Sequence, residues 1–179
     1  MRLLYPLFIQ QDEQTVMIKG AKMSAIVKPI PEGYEAAIPY LCVRPASEAI
    51  AFYKKAFAAD EILRIAHEGR IGHAELAIGL AKIMLSDEFP EEVLSPQTIG
   101  GTPVMIHLYV EDVDSFTARA VEAGLKILRP VADQFYGDRG GKFEDPFGHR
   151  WFIASRKETV APEELERRAA ALFGPRSST

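Results

Sequence analysis

Two histidines and a glutamate occur at spacings that suit metal or acid–base chemistry. His73 and Glu75 lie two residues apart in one apolar segment, and His107 lies in a second. Because strand side chains alternate faces, His73 and Glu75 share a face, and His107 shares one with Met105. Two histidines and one carboxylate form a known facial ligand set for a divalent transition metal. The residues therefore predict a site of His73, Glu75 and His107, or else histidines that form hydrogen bonds at the sheet surface.

Glu75 and Arg139 also carry chemistry that needs no metal. A carboxylate in an apolar cavity can act as a general base, although a salt bridge or hydrogen bond to a neighbouring strand is the alternative for Glu75. The planar guanidinium of Arg139 suits a carboxylate or phosphonate group of a ligand. It suits equally well an ion pair with Asp138 or Asp145 that holds the loop.

The elements that would position these residues occur twice in the same order. The hydrophobic pattern of the first half predicts strand, helix and three strands, in that order, over residues 37–43, 45–57, 61–67, 71–78 and 81–86. The second half repeats this order over residues 103–110, 113–123, 125–129, 140–144 and 150–155. A connector with two prolines and two glycines separates the copies, and a last helix begins at Pro162 and ends at Gly174. The repeat predicts a duplicated βαβββ unit.

Composition limits the classes of function. The chain has 179 residues and a net charge of -4, so a nucleic-acid partner is not expected, since that requires a basic surface. No apolar stretch approaches the roughly 20 residues of a membrane span. The single cysteine, Cys42, allows no internal disulfide, and we expect a cytoplasmic protein with Cys42 buried. We expect residues 1–26 to be a flexible N-terminal extension.

Seven segments of the chain occur in a characteristic order. They are IPEGYEAAIPYLCV, AIAFYKKAFAADEILR, GRIGHAELAIG, MLSDE, LYVEDVD, YGDRGGKFEDPFGHRWFIA and PEELERR. Together they resemble the vicinal oxygen chelate superfamily, which comprises glyoxalases, bleomycin-resistance proteins and dioxygenases. More narrowly, they look like its phosphonate-operon B-like subgroup.

The resemblance implies an α+β fold of two tandem βαβββ modules, whose curved mixed sheets surround a cavity. It implies a domain over residues 36–156, with module one at 36–87, a linker at 88–101 and module two at 102–156. The C-terminal helix would occupy 160–174. It also implies a homodimer, with that helix as a candidate interface element. The segment from Asp145 to His149 is expected to be a turn, since Asp, Pro and Gly each favour one.

The resemblance also places the four metal-ligand positions of the metal-using members, at Ile38, Glu75, Met105 and Phe152. Only Glu75 offers a hard-metal ligand there. We therefore expect no cofactor and a protein that binds a small organic molecule without metal. The alternative is a lyase or dioxygenase-type enzyme with one divalent transition metal at the shifted histidine site. The residues expected to line the cavity are Tyr40, His73, Glu75, Met105, His107, Phe152 and Arg139, with Glu75 as the candidate catalytic residue.

Overall fold

The structure is a computed structural model that describes residues 27–174. The expected extension at residues 1–26 lies outside the described residues. All the regular elements lie in the compact unit that begins at Ala37. Module one consists of β1 (Tyr40–Val43), α1 (Ala46–Phe57), β2 (Asp60–His67), β3 (Arg70–Ile78) and β4 (Ala81–Asp87).

Module two repeats this order after a connector that contains a short helix, α2 (Pro96–Ile99). Its elements are β5 (Met105–Tyr109), α3 (Val113–Glu122), β6 (Lys126–Asp133), β7 (Asp138–Glu144) and β8 (Arg150–Arg156). The last helix is α4 (Pro162–Phe173). The predicted α+β fold of two tandem βαβββ modules is confirmed.

Each module forms one mixed four-stranded sheet. The strand orders are β1-β4-β3-β2 and β5-β8-β7-β6, so the first and last strands of each module are neighbours. These neighbours pair in parallel, whereas the other strand pairs are antiparallel. The outer strand β6 contains Pro130 next to a register shift, which suits an edge strand because proline has no N–H to donate.

Helices α1 and α3 pack against each other, and the residues beneath them form one hydrophobic core. The rings of Phe57 and Trp151, from α1 and β8, lie 5.0 Å apart in a T-shaped contact. Both sheets therefore turn their helix-covered faces toward a shared core. The buried core side chains on the strands are Leu41, Val43, Ile71, Ala74, Leu76, Ile78, Ile83, Leu85, Leu108, Phe143, Trp151 and Ile153.

The turn between β7 and β8 joins the modules. Asp145, which is buried, accepts hydrogen bonds from the Tyr53 hydroxyl and from the Trp151 indole N–H, over 2.6 and 2.9 Å. It also accepts the backbone N–H groups of Phe147 and His149. The ring Nε2 of His149 lies 2.9 Å from the carbonyl oxygen of Cys42 in β1. The predicted turn is thus the main polar link from module two to module one.

Some details differ from the sequence-based expectations. The connector forms α2, which begins at a capping serine, Ser95. Strand β1 begins at Tyr40, so Ile38 precedes it. Helix α4 adds no side chain to the core, since none of its residues is buried. Among residues 27–174, no helix is long and apolar enough to span a bilayer.

Candidate functional site

The faces of the two sheets that point away from the shared core carry the candidate functional residues. Strand alternation places Tyr40, His73 and Glu75 opposite the core-facing Leu41, Ala74 and Leu76. We call the side chains of Tyr40, His73, Glu75 and Met84 the module-one face. We call those of Met105, His107, Tyr109, Lys142 and Phe152 the module-two face.

On the module-one face, three side chains form a continuous hydrogen-bonded chain. His73 Nε2 lies 3.1 Å from Glu75 Oε1, and His73 Nδ1 lies 3.2 Å from the Tyr40 hydroxyl. Glu75 is buried, His73 is partly buried and Tyr40 is half exposed. The rings of Tyr40 and His73 also lie in contact, with centroids 5.6 Å apart. The arrangement runs from a buried carboxylate to a solvent-facing phenol.

This geometry suggests a tautomer for His73. An ionised Glu75 can only accept hydrogen bonds, so it favours the tautomer of His73 with the proton on Nε2. In a neutral His73 ring, Nδ1 is then an acceptor for the Tyr40 hydroxyl. Burial raises the pKa of the Tyr40 phenol, and a hydrogen bond with Ser86 opposes that shift without cancelling it. Tyr40 is therefore a neutral phenol at ordinary pH.

The module-two face is aromatic and cationic. The His107 ring lies between the rings of Tyr109 and Phe152 in tilted contacts, with centroids 4.7 and 4.8 Å away. The Arg129 guanidinium lies 5.6 Å from the Phe152 ring centroid on a neighbouring part of the same sheet. Lys142 is partly buried, and within residues 27–174 it has no hydrogen-bond or ion-pair partner. The face therefore combines the exposed rings of His107 and Tyr109 with the buried ring of Phe152. Lys142 adds a positive charge that is not neutralised within residues 27–174.

The strand registers show that the two faces are repeats of one another. Across module one, a row runs through Tyr40, Met84, Glu75 and Leu63 on β1, β4, β3 and β2. Across module two, the matching row runs through His107, Phe152, Lys142 and Arg129 on β5, β8, β7 and β6. The equivalent of Glu75 is thus Lys142, and the equivalent of Phe152 is Met84.

The sequence analysis missed Lys142 and Arg129 as face residues. The signal that could have found them is the repeat itself. Tyr40 and His107 differ by 67 in number (107 − 40), and Glu75 and Lys142 by the same amount (142 − 75). Applying the same offset of 67 to Glu75 identifies Lys142 as its equivalent in module two.

Residues 27–174 of a single chain do not offer a ligand set that fits a divalent metal. Of the expected ligand positions, Ile38, Met105 and Phe152 carry no hard donor, and the row that contains Glu75 adds only Met84, Leu63 and a phenol. His73 and Glu75 are together, but His107 lies on the other sheet among aromatic rings. Within residues 27–174, no group of three His, Cys, Asp or Glu side chains is placed to hold a metal.

Arg139 does not join these faces. It lies on β7 and points to the helix side, where its guanidinium binds both carboxylate oxygens of Asp114 over 2.8 Å and Asp133 over 3.1 Å. These carboxylates raise the pKa of Arg139 further above its already high ordinary value. The guanidinium thus forms ion pairs within its own chain, as the second of the two expectations for Arg139 proposed. Its partners are Asp114 and Asp133 rather than Asp138 or Asp145.

A surface cleft of about 510 Å³ lies beside Arg139, away from the two rows. Its charged groups are largely paired within the chain, for example Glu158 with Arg168 over 2.8 Å. Asp138 lines the cleft and also accepts the Tyr109 hydroxyl over 2.5 Å. The other oxygen of Asp138, Oδ1, is buried without a hydrogen-bond partner among the described residues and lies 3.6 Å from Nε of Arg156.

The surroundings of Cys42 and His149 indicate that both residues stabilise the fold. Burial, followed by the nearby charges of Glu88 and Asp87, raises the pKa of Cys42 to about 11, so the thiol stays protonated and unreactive. His149 contacts the carbonyl oxygen of Cys42 through Nε2, as described above. Neither residue belongs to the candidate site.

Two modules with equivalent rows of side chains on their open faces define a paired βαβββ protein. The family model of the Glyoxalase/Bleomycin resistance protein/Dioxygenase superfamily matches residues 36–153. The chain belongs to this superfamily.

Relatives and solved structures agree with this assignment. The uncharacterized protein Rv0887c of Mycobacterium tuberculosis (strain ATCC 25618 / H37Rv) is 39% identical over 153 residues, which cover 83% of this chain and 86% of that protein. The crystal structure of TioX from Micromonospora sp. ML1 matches with a TM-score of 0.56 and 24% identity, over 71% of this chain and 100% of that one. The structure of the Arabidopsis thaliana gene product At5g48480 matches with a TM-score of 0.53 and 25% identity, over 68% and 98% of the two chains.

Proposed function

We propose that the protein binds a small planar organic acid on its open sheet faces, without a resident metal. The observation that carries this proposal is the module-two row, in which His107, Phe152, Lys142 and Arg129 combine aromatic rings with cationic groups. Aromatic rings offer stacking area to a planar ligand, and lysine and arginine offer charge to its carboxylate. The bleomycin-resistance part of the superfamily name is consistent with binding of small organic molecules.

We also propose that the protein is a homodimer in which the faces of two copies meet. Each face carries an exposed tyrosine in a single chain, since Tyr40 and Tyr109 are 50% and 52% exposed. The faces have complementary charge, because Glu75 and Lys142 occupy equivalent positions. If the module-one face of one copy covers the module-two face of the other, a two-fold axis produces two identical ligand sites.

Two finer assignments accompany this proposal. The seven segments, in their order along the chain, support membership in the phosphonate-operon B-like subgroup, since they include the turn from Asp145 to His149 and the strand that holds His73 and Glu75. A cytoplasmic location is supported by the single buried cysteine, Cys42, because no internal disulfide can form.

The test is a thermal-shift screen of the full chain after metal has been stripped with a chelator. We expect benzoate or salicylate to raise the melting temperature by about 5 °C or more at roughly 100 times its Kd. His107→Ala should reduce the shift because it removes the ring between Tyr109 and Phe152. His67→Ala is the matched control, since His67 is exposed next to a turn and has no role in either face.

A measurement of metal content distinguishes this proposal from the alternative, a metal-dependent enzyme. The same protein is supplied with Mn²⁺, Fe²⁺, Ni²⁺ or Zn²⁺ and its bound metal is measured by mass spectrometry. Stoichiometric metal that is lost from His73→Ala and His107→Ala, together with no stabilisation by the acids, would overturn the metal-independent proposal. Stabilisation by the acids with sub-stoichiometric metal would support it.

A further inference from the structure

We infer that Tyr40, His73 and Glu75 form a nucleophilic relay, in which Tyr40 accepts an acyl group from a small aryl ester bound on the module-one face. This inference rests on the proposed function in one respect, namely that this face is open to a ligand. It goes further because it assigns a covalent step and a substrate class to residues that binding alone does not require.

The geometry has the three parts that an activated nucleophile needs. A nucleophilic oxygen must lie within hydrogen-bond reach of a base, and a third group must orient that base. The Tyr40 hydroxyl lies 3.2 Å from His73 Nδ1, and His73 Nε2 lies 3.1 Å from Glu75. The competing acceptor for the hydroxyl, the carbonyl oxygen of Gly72, is further away at 3.4 Å.

The burial gradient places the reactive group where a ligand can reach it. The side chain of Glu75 is 11% exposed and that of His73 is 24% exposed, whereas Tyr40 as a whole is 50% exposed. The positioning carboxylate is therefore shielded, the base is partly shielded and the nucleophile faces solvent. An electrostatic contact between His73 and Glu75 is stronger in such a shielded place than on the open surface.

The proposed step balances in atoms and charge. The Tyr40 oxygen attacks the ester carbonyl carbon while its proton passes to His73 Nδ1, and the resulting imidazolium is compensated by the carboxylate of Glu75. The bond between the carbonyl carbon and the aryl oxygen then breaks, and the aryl oxide leaves. Water later hydrolyses the acyl–Tyr40 ester and releases a carboxylic acid.

The role of His73 follows from the acidity of the phenol. Burial raises the pKa of Tyr40, so a phenolate does not exist beforehand at neutral pH and must form as the proton leaves. Imidazole, with an ordinary pKa of about 6.5, takes that proton far better than a carboxylate, with an ordinary pKa of about 4. Tyr40 is then the catalytic residue, His73 the base and Glu75 a positioning residue.

Tyr109 provides an internal control within the same molecule. It is exposed to nearly the same degree as Tyr40, at 52%, but its hydroxyl donates to the carboxylate of Asp138 over 2.5 Å. That hydrogen bond is the main cause of the raised pKa of Tyr109. The two phenols have similar exposure but different hydroxyl partners, which are a histidine nitrogen for Tyr40 and a carboxylate for Tyr109.

The experiment treats the full chain with p-nitrophenyl acetate and measures O-acetylation at each tyrosine by peptide mass spectrometry. Hydroxylamine removes acetyl groups from tyrosine but not from lysine, which identifies the products. A general base contributes about 100-fold or more, so we expect Tyr40 to acetylate about 100 times faster than Tyr109. In His73→Gln, the acetylation rate of Tyr40 should fall to within about threefold of that of Tyr109. In Glu75→Gln, the acetylation rate of Tyr40 should be intermediate, and that of Tyr109 should not change.

The outcomes separate this inference from the proposed function. A wild-type ratio of Tyr40 to Tyr109 rates below about tenfold overturns the relay, and this comparison needs no variant to fold. A ratio that persists in a folded His73→Gln protein also overturns it. Because p-nitrophenyl acetate is the only probe, the result does not depend on whether organic acids bind in the thermal-shift screen.

Discussion

Tyr53 on α1 donates its hydroxyl to Asp145 in the β7–β8 turn, with 2.6 Å between the oxygen atoms, and both residues are buried. This bond links the helix of module one to the turn of module two across 92 residues of sequence. The same carboxylate also holds the indole N–H of Trp151. The turn before the last strand of module two therefore also links module two to module one.

The first prediction concerns this link. Tyr53→Phe removes one hydrogen bond to a buried charged group, and we expect it to lower the free energy of unfolding by about 1.5–3 kcal/mol. Asp145→Ala leaves several hydrogen-bond donors without their acceptor. We expect it to lower the free energy of unfolding by about 3–5 kcal/mol, as when a buried charged pair is broken. Equilibrium unfolding in urea measures both changes. Tyr136→Phe is the control, because within the described residues the Tyr136 hydroxyl has no hydrogen bond. If it lowers the free energy of unfolding as much as Tyr53→Phe does, the prediction is contradicted.

The fold was predictable because it depends on short-range signals that repeat. Alternating apolar residues placed the strands, helical periodicity placed α1 and α3, and Asp112 caps α3 by accepting the N–H groups of Asp114 and Ser115. A pattern of this kind identifies an element wherever neighbouring residues decide its conformation. The order of elements then followed from the duplication.

The site was predictable only in part, for a physical reason. Strand alternation correctly places His73 with Glu75, because that relationship is internal to one strand. The distance between His107 and that pair depends on how two sheets pack, and the partners of Arg139 come from α3 and β6. Such contacts arise from tertiary packing, which the spacing within one segment does not determine.

A second prediction tests how Phe152 is seated on the module-two face. A side chain at Gly140 would bring a Cβ atom within 2.9 Å of the Phe152 ring and 2.8 Å of the Ala154 Cβ. Gly140→Ala should therefore displace the ring and destabilise the protein by about 1–3 kcal/mol, as overpacking does. Gly72→Ala is the matched strand control, because its Cβ would meet nothing closer than a carbonyl oxygen at 4.0 Å. Urea unfolding of the two variants gives the comparison, and an equal effect would show that Phe152 does not need this space.

A third prediction concerns the pH dependence of α4, which has no buried residue to anchor it. Hydrogen bonds from Arg167 and Arg168 lower the pKa of Glu164 from 4.5 to about 2 in the folded chain. A lowered pKa stabilises the folded form at pH values above 4.5, and this stabilisation is lost as the pH falls toward 2. Carbon chemical shifts of residues 162–173 should therefore report loss of helix within that window. Glu164→Gln should weaken this transition, and the remainder comes from Glu158, whose pKa is also lowered by its hydrogen bond with Arg168. An unchanged helix in the wild-type protein down to pH 2 would refute the assignment.

The last prediction tests the proposed contact between copies through charge. Lys142 is partly buried on the module-two face without a partner in the described part of its own chain, and Glu75 is its equivalent on the module-one face. Placing the two faces together brings opposite charges near each other in a shielded setting, where like charges would be strongly unfavourable. Lys142→Glu should therefore weaken the dimer by about 2–5 kcal/mol, which is about 30-fold or more in its Kd.

Sedimentation equilibrium of the wild-type protein and two variants gives the measurement. Lys55→Glu changes the net charge by the same amount but lies on the exposed side of α1, so it controls for general repulsion between more acidic chains. We expect Lys55→Glu to remain a dimer at concentrations where Lys142→Glu is monomeric. If both variants dissociate equally, the effect comes from net charge, and if neither does, the interface lies elsewhere. The exposed Leu172 and Phe173 of α4 would then be the next surface to examine, because they are apolar and uncovered in the single chain.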